Sequence, residues 1–286
     1  MTRYKVTVEY DGTAYNGWQK QKDAPSVQTA IEKAIKSFCR QDVTIFCSGR
    51  TDSGVHSVGQ IAHFDLNGDF DPFKVMMGIN NFLREQCLNK IKEIKHILFK
   101  EHSLASTQSN DKKHYLYNQT SFIPIQDVVI LKCEVVSEEF HARFSAKKRF
   151  YKYRILNRKR PTALKNNRVW HVYEELNLEK MQKASEFLIG VHDFSSFRDS
   201  DCQALSPIKT IDEARLYRHN ENEIILEING RSFLHHMVRN VIGTLKDVGN
   251  GKVSVEKFKE ILEAKDRTKA GITAPACGLC FMKVEY

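Results

Sequence analysis

The sequence predicts a mixed α+β fold built from two halves of similar size. Three observations lead there. Runs with an apolar period of two alternate with runs at helical spacing, residues that cap helices stand directly before the helical runs, and the pattern of the first half returns in the second. No apolar run reaches the ~20 residues of a membrane-spanning helix.

Tyr4, Val6, Val8 and Tyr10 alternate with Lys5, Thr7 and Glu9, which is a strand, and Asp11-Gly12-Thr13 ends it as a turn. Ser26 stands where a helix cap belongs, ahead of Val27, Ala30, Ile31, Ala34, Ile35 and Phe38. Val43 to Cys47 reads as a second strand, Ser48 to His56 as a polar loop and Gln60 to Phe64 as a third strand. Asp71-Pro72 has the form of a cap and first helical residue for a helix through Phe82. In the second half Phe150 to Leu156 is a strand, and Asn177 caps a helix through Leu188. Ile211 to Arg218 and Glu223 to Asn229 form a hairpin. Leu234 to Val248 is a helix, Ser254 caps another through Ala264, and Leu279 to Tyr286 closes as a strand. The halves divide at 1–139 and 140–286.

Residues 84–122 break the pattern. Leu88, Ile91, Ile94 and Ile97 have the spacing of a short amphipathic helix, whereas Ser103 to Lys113 is polar, aperiodic and expected to stay solvated and mobile. A stretch of this length reads as an insertion into the first half.

The charge is concentrated. The net charge is +9, and eleven Lys and Arg with no Asp or Glu lie between Phe140 and Trp170, leaving the rest of the chain near neutral. Phe144, Phe150, Tyr151 and Tyr153 are threaded through this stretch, a composition suited to phosphates and stacked bases; the alternative is a solvated lysine-rich face with its rings turned inward. Seven Cys without framework spacing point to reduced thiols in a cytoplasmic setting. The N-terminus lacks the layout of a secretory signal.

The segment most suited to chemistry is Ser48-Gly49-Arg50-Thr51-Asp52-Ser53-Gly54-Val55-His56, which follows a strand. It places a carboxylate, a guanidinium and an imidazole between two glycines, and loops held by rigid strands carry reactive groups. A carboxylate with a cation beside it is a nucleophile candidate, while in an arbitrary loop the same Asp more often caps a turn. Other candidates read as structural. Cys277-Gly278-Leu279-Cys280 is one CxxC without a second ligand pair, and His235-His236 has no acidic third ligand at helical spacing. Tyr15 and Trp18 suit either a core or an RNA-facing surface.

Tyr10-Asp11-Gly12-Thr13-Ala14-Tyr15-Asn16-Gly17-Trp18 and Gly49-Arg50-Thr51-Asp52-Ser53-Gly54-Val55-His56 resemble segments of the tRNA pseudouridine synthase A family. Phe140-His141-Ala142-Arg143-Phe144, Arg149-Phe150-Tyr151-Lys152-Tyr153, Asp193-Phe194-Ser195-Ser196-Phe197 and Phe233-Leu234-His235-His236-Met237-Val238-Arg239-Asn240 follow in the family's order, with Ala264-Lys265-Asp266-Arg267 and Ala274-Pro275-Ala276-Cys277-Gly278-Leu279 after them. The resemblance implies two αβ sandwich domains of the RNA-recognition type, joined around a basic cleft. It implies isomerisation of uridine to pseudouridine at positions 38, 39 and 40 of the tRNA anticodon stem-loop, by a homodimer without cofactor or metal. Carried over by residue, Asp52 is the nucleophile and Arg50 fills the space left by the flipped nucleotide. Tyr151 packs on the target base, Arg239 pairs with the catalytic carboxylate, and Phe140, His141, Ala142, Arg143 and Phe144 contact tRNA, as does the Asp201 to Leu205 loop. Leu205 stands where the family often has a basic residue. An RNA-binding module without catalysis is the competing class, which the fold and charge alone also allow.

Overall fold

The computed structural model describes residues 1–104 and 126–286. Ten strands form one sheet in the order β4-β1-β3-β10-β5-β9-β8-β7, with two short strands attached at its face edges. They are β1 (Thr2–Tyr10), β2 (Phe46–Cys47), β3 (His56–Leu66), β4 (Val128–Val136), β5 (Lys148–Asn157), β6 (Trp170–Val172), β7 (Gly190–Asp193), β8 (Ile208–Asn220), β9 (Glu223–Gly230) and β10 (Leu279–Glu285). The helices among the described residues are α1 (Val27–Cys39), α2 (Pro72–Leu104), α3 (Leu178–Glu186), α4 (Met237–Gly249) and α5 (Val255–Ala264). The α+β class holds, and all neighbours in the sheet are antiparallel except β10 with β3 and β6 with β5. None of the described helices is long and apolar enough to cross a membrane.

The predicted caps are made. Ser26 Oγ accepts from Thr29 N at 3.2 Å, Asp71 Oδ1 from Lys74 N, Asn177 Oδ1 from Lys180 N and Ser254 Oγ from Lys257 N. The period of two in β1 buries Tyr4, Val6, Val8 and Tyr10, and these pack with Val27, Ile31 and Ile35 of α1 in one core. A second core gathers Tyr153, Ile155, Ile224 and Leu226 from the sheet with Val241, Ile242 and Leu245 of α4. Tyr15 and Trp18 are both core residues, 3% and 1% exposed, so the RNA-facing alternative fails for them.

The structure corrects the reading of residues 84–104. The helix that starts at Pro72 does not end at Phe82; it continues to Leu104 as one element rather than two. Leu83 and Cys87 are buried, and Gln86 Nε2 donates to Ala30 O at 3.2 Å, so the start of the supposed insertion is docked on α1. The stretch expected to be mobile lies, from residue 105, outside the described residues.

The last strand decides the architecture around the site. Residues of β10 pair on one side with β3 (Cys280 with His56, Phe281 with Ser57) and on the other with β5 (Phe281 with Tyr151). The chain terminus therefore stitches the two halves into a single sheet, and brings the start of β3 alongside Tyr151.

Candidate active site

The loop between β2 and β3 is clamped by the first turn of the chain. Trp18 N donates to Thr51 O at 3.1 Å, Gly54 N to Tyr15 O at 3.2 Å, and the buried Tyr10 hydroxyl bonds Thr51 Oγ1 at 2.8 Å. Gly17 has φ +82°, and a Cβ there would stand 2.4 Å from Thr51 O, so only glycine permits this approach. Gly12 N donates to His56 Nδ1 at 3.0 Å, and His56 Nε2 bonds Asn167 O at 2.7 Å. Asp11 faces His56 and Arg168; although its burial acts the other way, the hydrogen bonds from these groups and Thr13 hold its carboxyl far below the usual range. The two glycine-rich segments thus form one rigid support.

On that support Asp52 is half-buried, and Val55 N donates to its backbone carbonyl at 3.1 Å. Arg239 Nη1 donates to Asp52 Oδ2 at 3.1 Å, while Arg239 Nε is fixed on Ala274 O at 2.8 Å. The approach of Ala274 to α4 relies on Gly243, where a Cβ would lie 1.8 Å from Ile272 O. Arg50 points outward, is exposed and makes no ion pair among the described residues. The cation on the carboxylate is therefore the one 187 residues away, not the one two residues away.

Tyr151 forms the floor. Its ring meets Phe233 and Phe281 edge-on at 5.0 and 5.1 Å. Burial, with the nearby Asp52 charge, pushes its phenol well above the ordinary value, so it stays protonated at neutral pH and serves as an apolar surface with a donor at its tip.

Two histidines complete the ring around Asp52. His235 Nε2 lies 3.5 Å from Asp52 Oδ1 and His236 Nε2 3.6 Å from Oδ2, the imidazoles stacked with centroids 3.9 Å apart. His236 occupies the left-handed region, φ 59°, immediately before α4, and its Nδ1 donates to Asp199 Oδ2 at 2.6 Å. The helix predicted from Leu234 starts only at Met237, because His236 turns the chain there. The acidic neighbours missing from helical spacing are supplied by distant loops, and Asp52, His235 and His236 together offer three donor atoms within 4.8 Å of one another that could hold a metal ion.

The segment 140–144 is held near the same edge. Arg3 donates to the carbonyls of Glu138 and Phe140, and Phe140 packs on Tyr286 at 4.9 Å. Ala142 is fully buried; its N–H goes to His63 Nδ1 at 3.1 Å and its carbonyl accepts from the Tyr286 hydroxyl at 3.0 Å. Ala142 is thus a framework residue with no surface to offer a ligand, a correction to its place among the contact residues. Phe144 is 77% exposed and Arg143 is exposed, which leaves both available. His141 is half-buried between Phe144 and His63.

His63, missed by sequence reasoning, carries a pH dependence. Burial first, then the charges of His141 and Arg3, lower its pKa from 6.5 to about 4. Between these values the unfolded chain binds a proton that the folded chain does not, so stability falls as pH drops from about 6.5 towards 4. The expected loss is on the order of 2–3 kcal/mol. Urea unfolding midpoints at pH 7 and pH 5 measure it, and His63→Gln should flatten the difference.

Of the eleven basic residues in 140–170, six are already engaged. Lys148 pairs with Asp212, Lys152 with Glu227, Arg154 and Lys165 with Glu223, Arg168 with Asp11, and Arg149 is buried among carbonyls. Arg143, Lys147, Arg158, Lys159 and Arg160 are in no ion pair among the described residues. The rings at Tyr151 and Tyr153 do turn inward, as the plainer alternative has it.

The α+β molecule thus presents a loop carboxylate with a guanidinium on it and aromatic rings close by, an arrangement suited to an enzyme. A family model described as tRNA pseudouridine synthase matches residues 6–102 and 184–286. Two curated relatives named tRNA pseudouridine synthase A, from Orientia tsutsugamushi strains Ikeda and Boryong, are each 42% identical to this chain, with both sequences covered in full. The chain belongs to the tRNA pseudouridine synthase family.

Proposed function

We propose that Asp52 is the nucleophile with which this tRNA pseudouridine synthase isomerises uridine to pseudouridine at positions 38, 39 and 40 of the anticodon stem-loop, as a homodimer whose protomer divides into domains 1–139 and 140–286. The observation that carries the reading is the state of the Asp52 carboxylate. Arg239 fixes Oδ2, whereas Oδ1 accepts no hydrogen bond among the described residues and keeps its lone pairs for a substrate.

The chemistry fits these groups. The ribose–N1 bond breaks, a ribose–C5 bond forms, C5 loses a proton and N1 gains one, so electrons balance without an oxidant or reductant. A stacked uridine cannot reach a half-buried carboxylate, and extruding it costs about a few kcal/mol. Tyr151 supplies a face for the flipped base, Arg50 stands at the rim where the vacated space would be, and Phe144 offers a ring to stack on. Incubation of purified protein with unmodified tRNA in excess chelator, followed by mapping of pseudouridine, tests the reading; product at positions 38–40 is expected, and its absence rejects the metal-free reaction.

Salt dependence follows from the unpaired cations. Five phosphate contacts give a slope near −4 in log affinity against log salt, a loss of about 10²-fold between ~50 and ~200 mM. Arg143 and Lys147 lie before the start of β5, eight and four residues from Tyr151, while Arg158, Lys159 and Arg160 follow its far end, about 30 Å from its start along a ten-residue strand. The double change Arg143→Ala, Lys147→Ala should reduce the slope by about 1–2. An unaltered slope would remove this pair from the interface.

A further inference from the structure

We propose that Asp52, His235 and His236 form a binding site for a zinc-class divalent transition metal, and that its occupancy shuts off the enzyme by capturing the nucleophile. The inhibitory half rests on the reading of Asp52 as nucleophile; the site itself does not.

The argument starts from the proton on His236. Asp199, an acceptor at 2.6 Å, holds that proton on Nδ1, so the neutral ring presents the lone pair of Nε2 to Asp52. Asp199 Oδ1 stands 3.6 Å from His235 Nδ1, a charge contact beyond hydrogen-bond range. The His236 acceptor, the His235 ring and the Asp52 carboxylate then converge on one point, where the donor among the described residues is Arg239, on Oδ2 alone. Such an arrangement is repulsive until a proton or a cation enters it.

The spacing suits a metal. Ligands at 2.0–2.2 Å in a tetrahedral shell stand about 3.4 Å from one another. His235 Nε2 lies 3.5 Å from Oδ1 and His236 Nε2 3.6 Å from Oδ2, and one donor atom from each of the three residues falls within 4.8 Å of the others. A carboxylate behind a ligating histidine is the usual outer partner of such sites, and Asp199 takes that place behind His236. Two imidazoles and one carboxylate select zinc, copper, nickel or cobalt over magnesium or calcium. His235 is 40% exposed, which gives the ion an entry and leaves a fourth position open. Arg239 sits on Oδ2, so the ion takes the free Oδ1 and meets a repulsion that keeps the binding reversible. Cys277 and Cys280 are the competing ligands in this chain, and the test must separate them.

Cobalt(II) titration of the full, tRNA-free protein provides that test. One equivalent should develop the visible bands of tetrahedral cobalt with nitrogen and oxygen ligands, without the near-ultraviolet charge-transfer bands of thiolate. Zinc should displace it, and His235→Ala, at an exposed position where cooperative unfolding will be retained, should lose the signal. Turnover should fall in proportion to zinc occupancy and return on chelation. Absence of the bands overturns the site, as does a signal with thiolate character that survives His235→Ala. Binding that follows the expected pattern while turnover is unchanged overturns the inhibition and, with it, the role given to Asp52, leaving the site in place.

Discussion

Asp52→Asn should abolish pseudouridine formation while leaving tRNA bound. The substitution keeps the size and shape of the side chain and removes the one property that attack requires, an anionic oxygen. Its effect on the fold should be small, because the loop is held by its backbone: Thr51 O on Trp18 N, Gly54 N on Tyr15 O and the carbonyl of Asp52 on Val55 N remain as they are. Binding should stay equal or tighten, since a negative charge leaves a surface that receives phosphates. Loss of a nucleophile typically costs on the order of 10⁴-fold or more. Single-turnover product formation at saturating protein measures it apart from affinity. A rate within about tenfold of the parent would show that another group does the chemistry. The nearby alternative is Asp199, but both of its oxygens are occupied, Oδ1 by Asp201 N at 2.9 Å and Oδ2 by His236.

What was legible in the sequence was what is local. The capped helices and the hydrophobic alternation of β1 are set by neighbours within a few residues, and they form where expected. β2 shrinks from five residues to Phe46–Cys47, and β3 extends from Gln60–Phe64 to His56–Leu66, because strand length is set by the partner: β1 pairs along nearly all of β3, while β2 meets only His63 and Ala62. β4 was missed because it is an edge strand with only Val128 and Ile130 buried, so its alternation is blurred by the exposed Leu131 and Val135. Within the site, the Arg50-Thr51-Asp52 loop announces itself, yet its electrostatics do not. Arg239, His235 and His236 reach Asp52 only because β10 joins the halves and His236 turns the chain before α4. No spacing rule spans such separations.

Arg149→Met should destabilise the whole molecule and loosen the catalytic loop with it. The sequence counts Arg149 among the cations available to a phosphate backbone. In the structure it is 8% exposed, on the inward face of β5 shared by Tyr151, Tyr153 and Ile155, and that period of two was the signal that could have revealed it. Its guanidinium meets no carboxylate among the described residues. Nε and Nη2 donate to Ser48 O at 3.0 and 2.8 Å, Nη2 also to Arg143 O at 2.7 Å, and Nη1 to the carbonyls of Ala146 and Arg231. Burial lowers its pKa from the usual arginine value, but an arginine starts so high that it stays charged. One side chain therefore ties the start of the catalytic loop to the 143–146 turn and to the residue after β9. Methionine keeps much of the apolar stem and withdraws every donor, so four carbonyls are stranded at once. Losing a buried charged partner costs about 3–5 kcal/mol. At roughly 2–4 °C per kcal/mol for chains of this size, the melting temperature should drop by about 10 °C. Arg149→Lys should recover only part of the loss, because an ammonium cannot span carbonyls on three sides. Urea unfolding and tRNA affinity, measured on the same variants, separate the two roles. Weakened binding in an Arg149→Met protein of unchanged stability would return Arg149 to the RNA-binding surface.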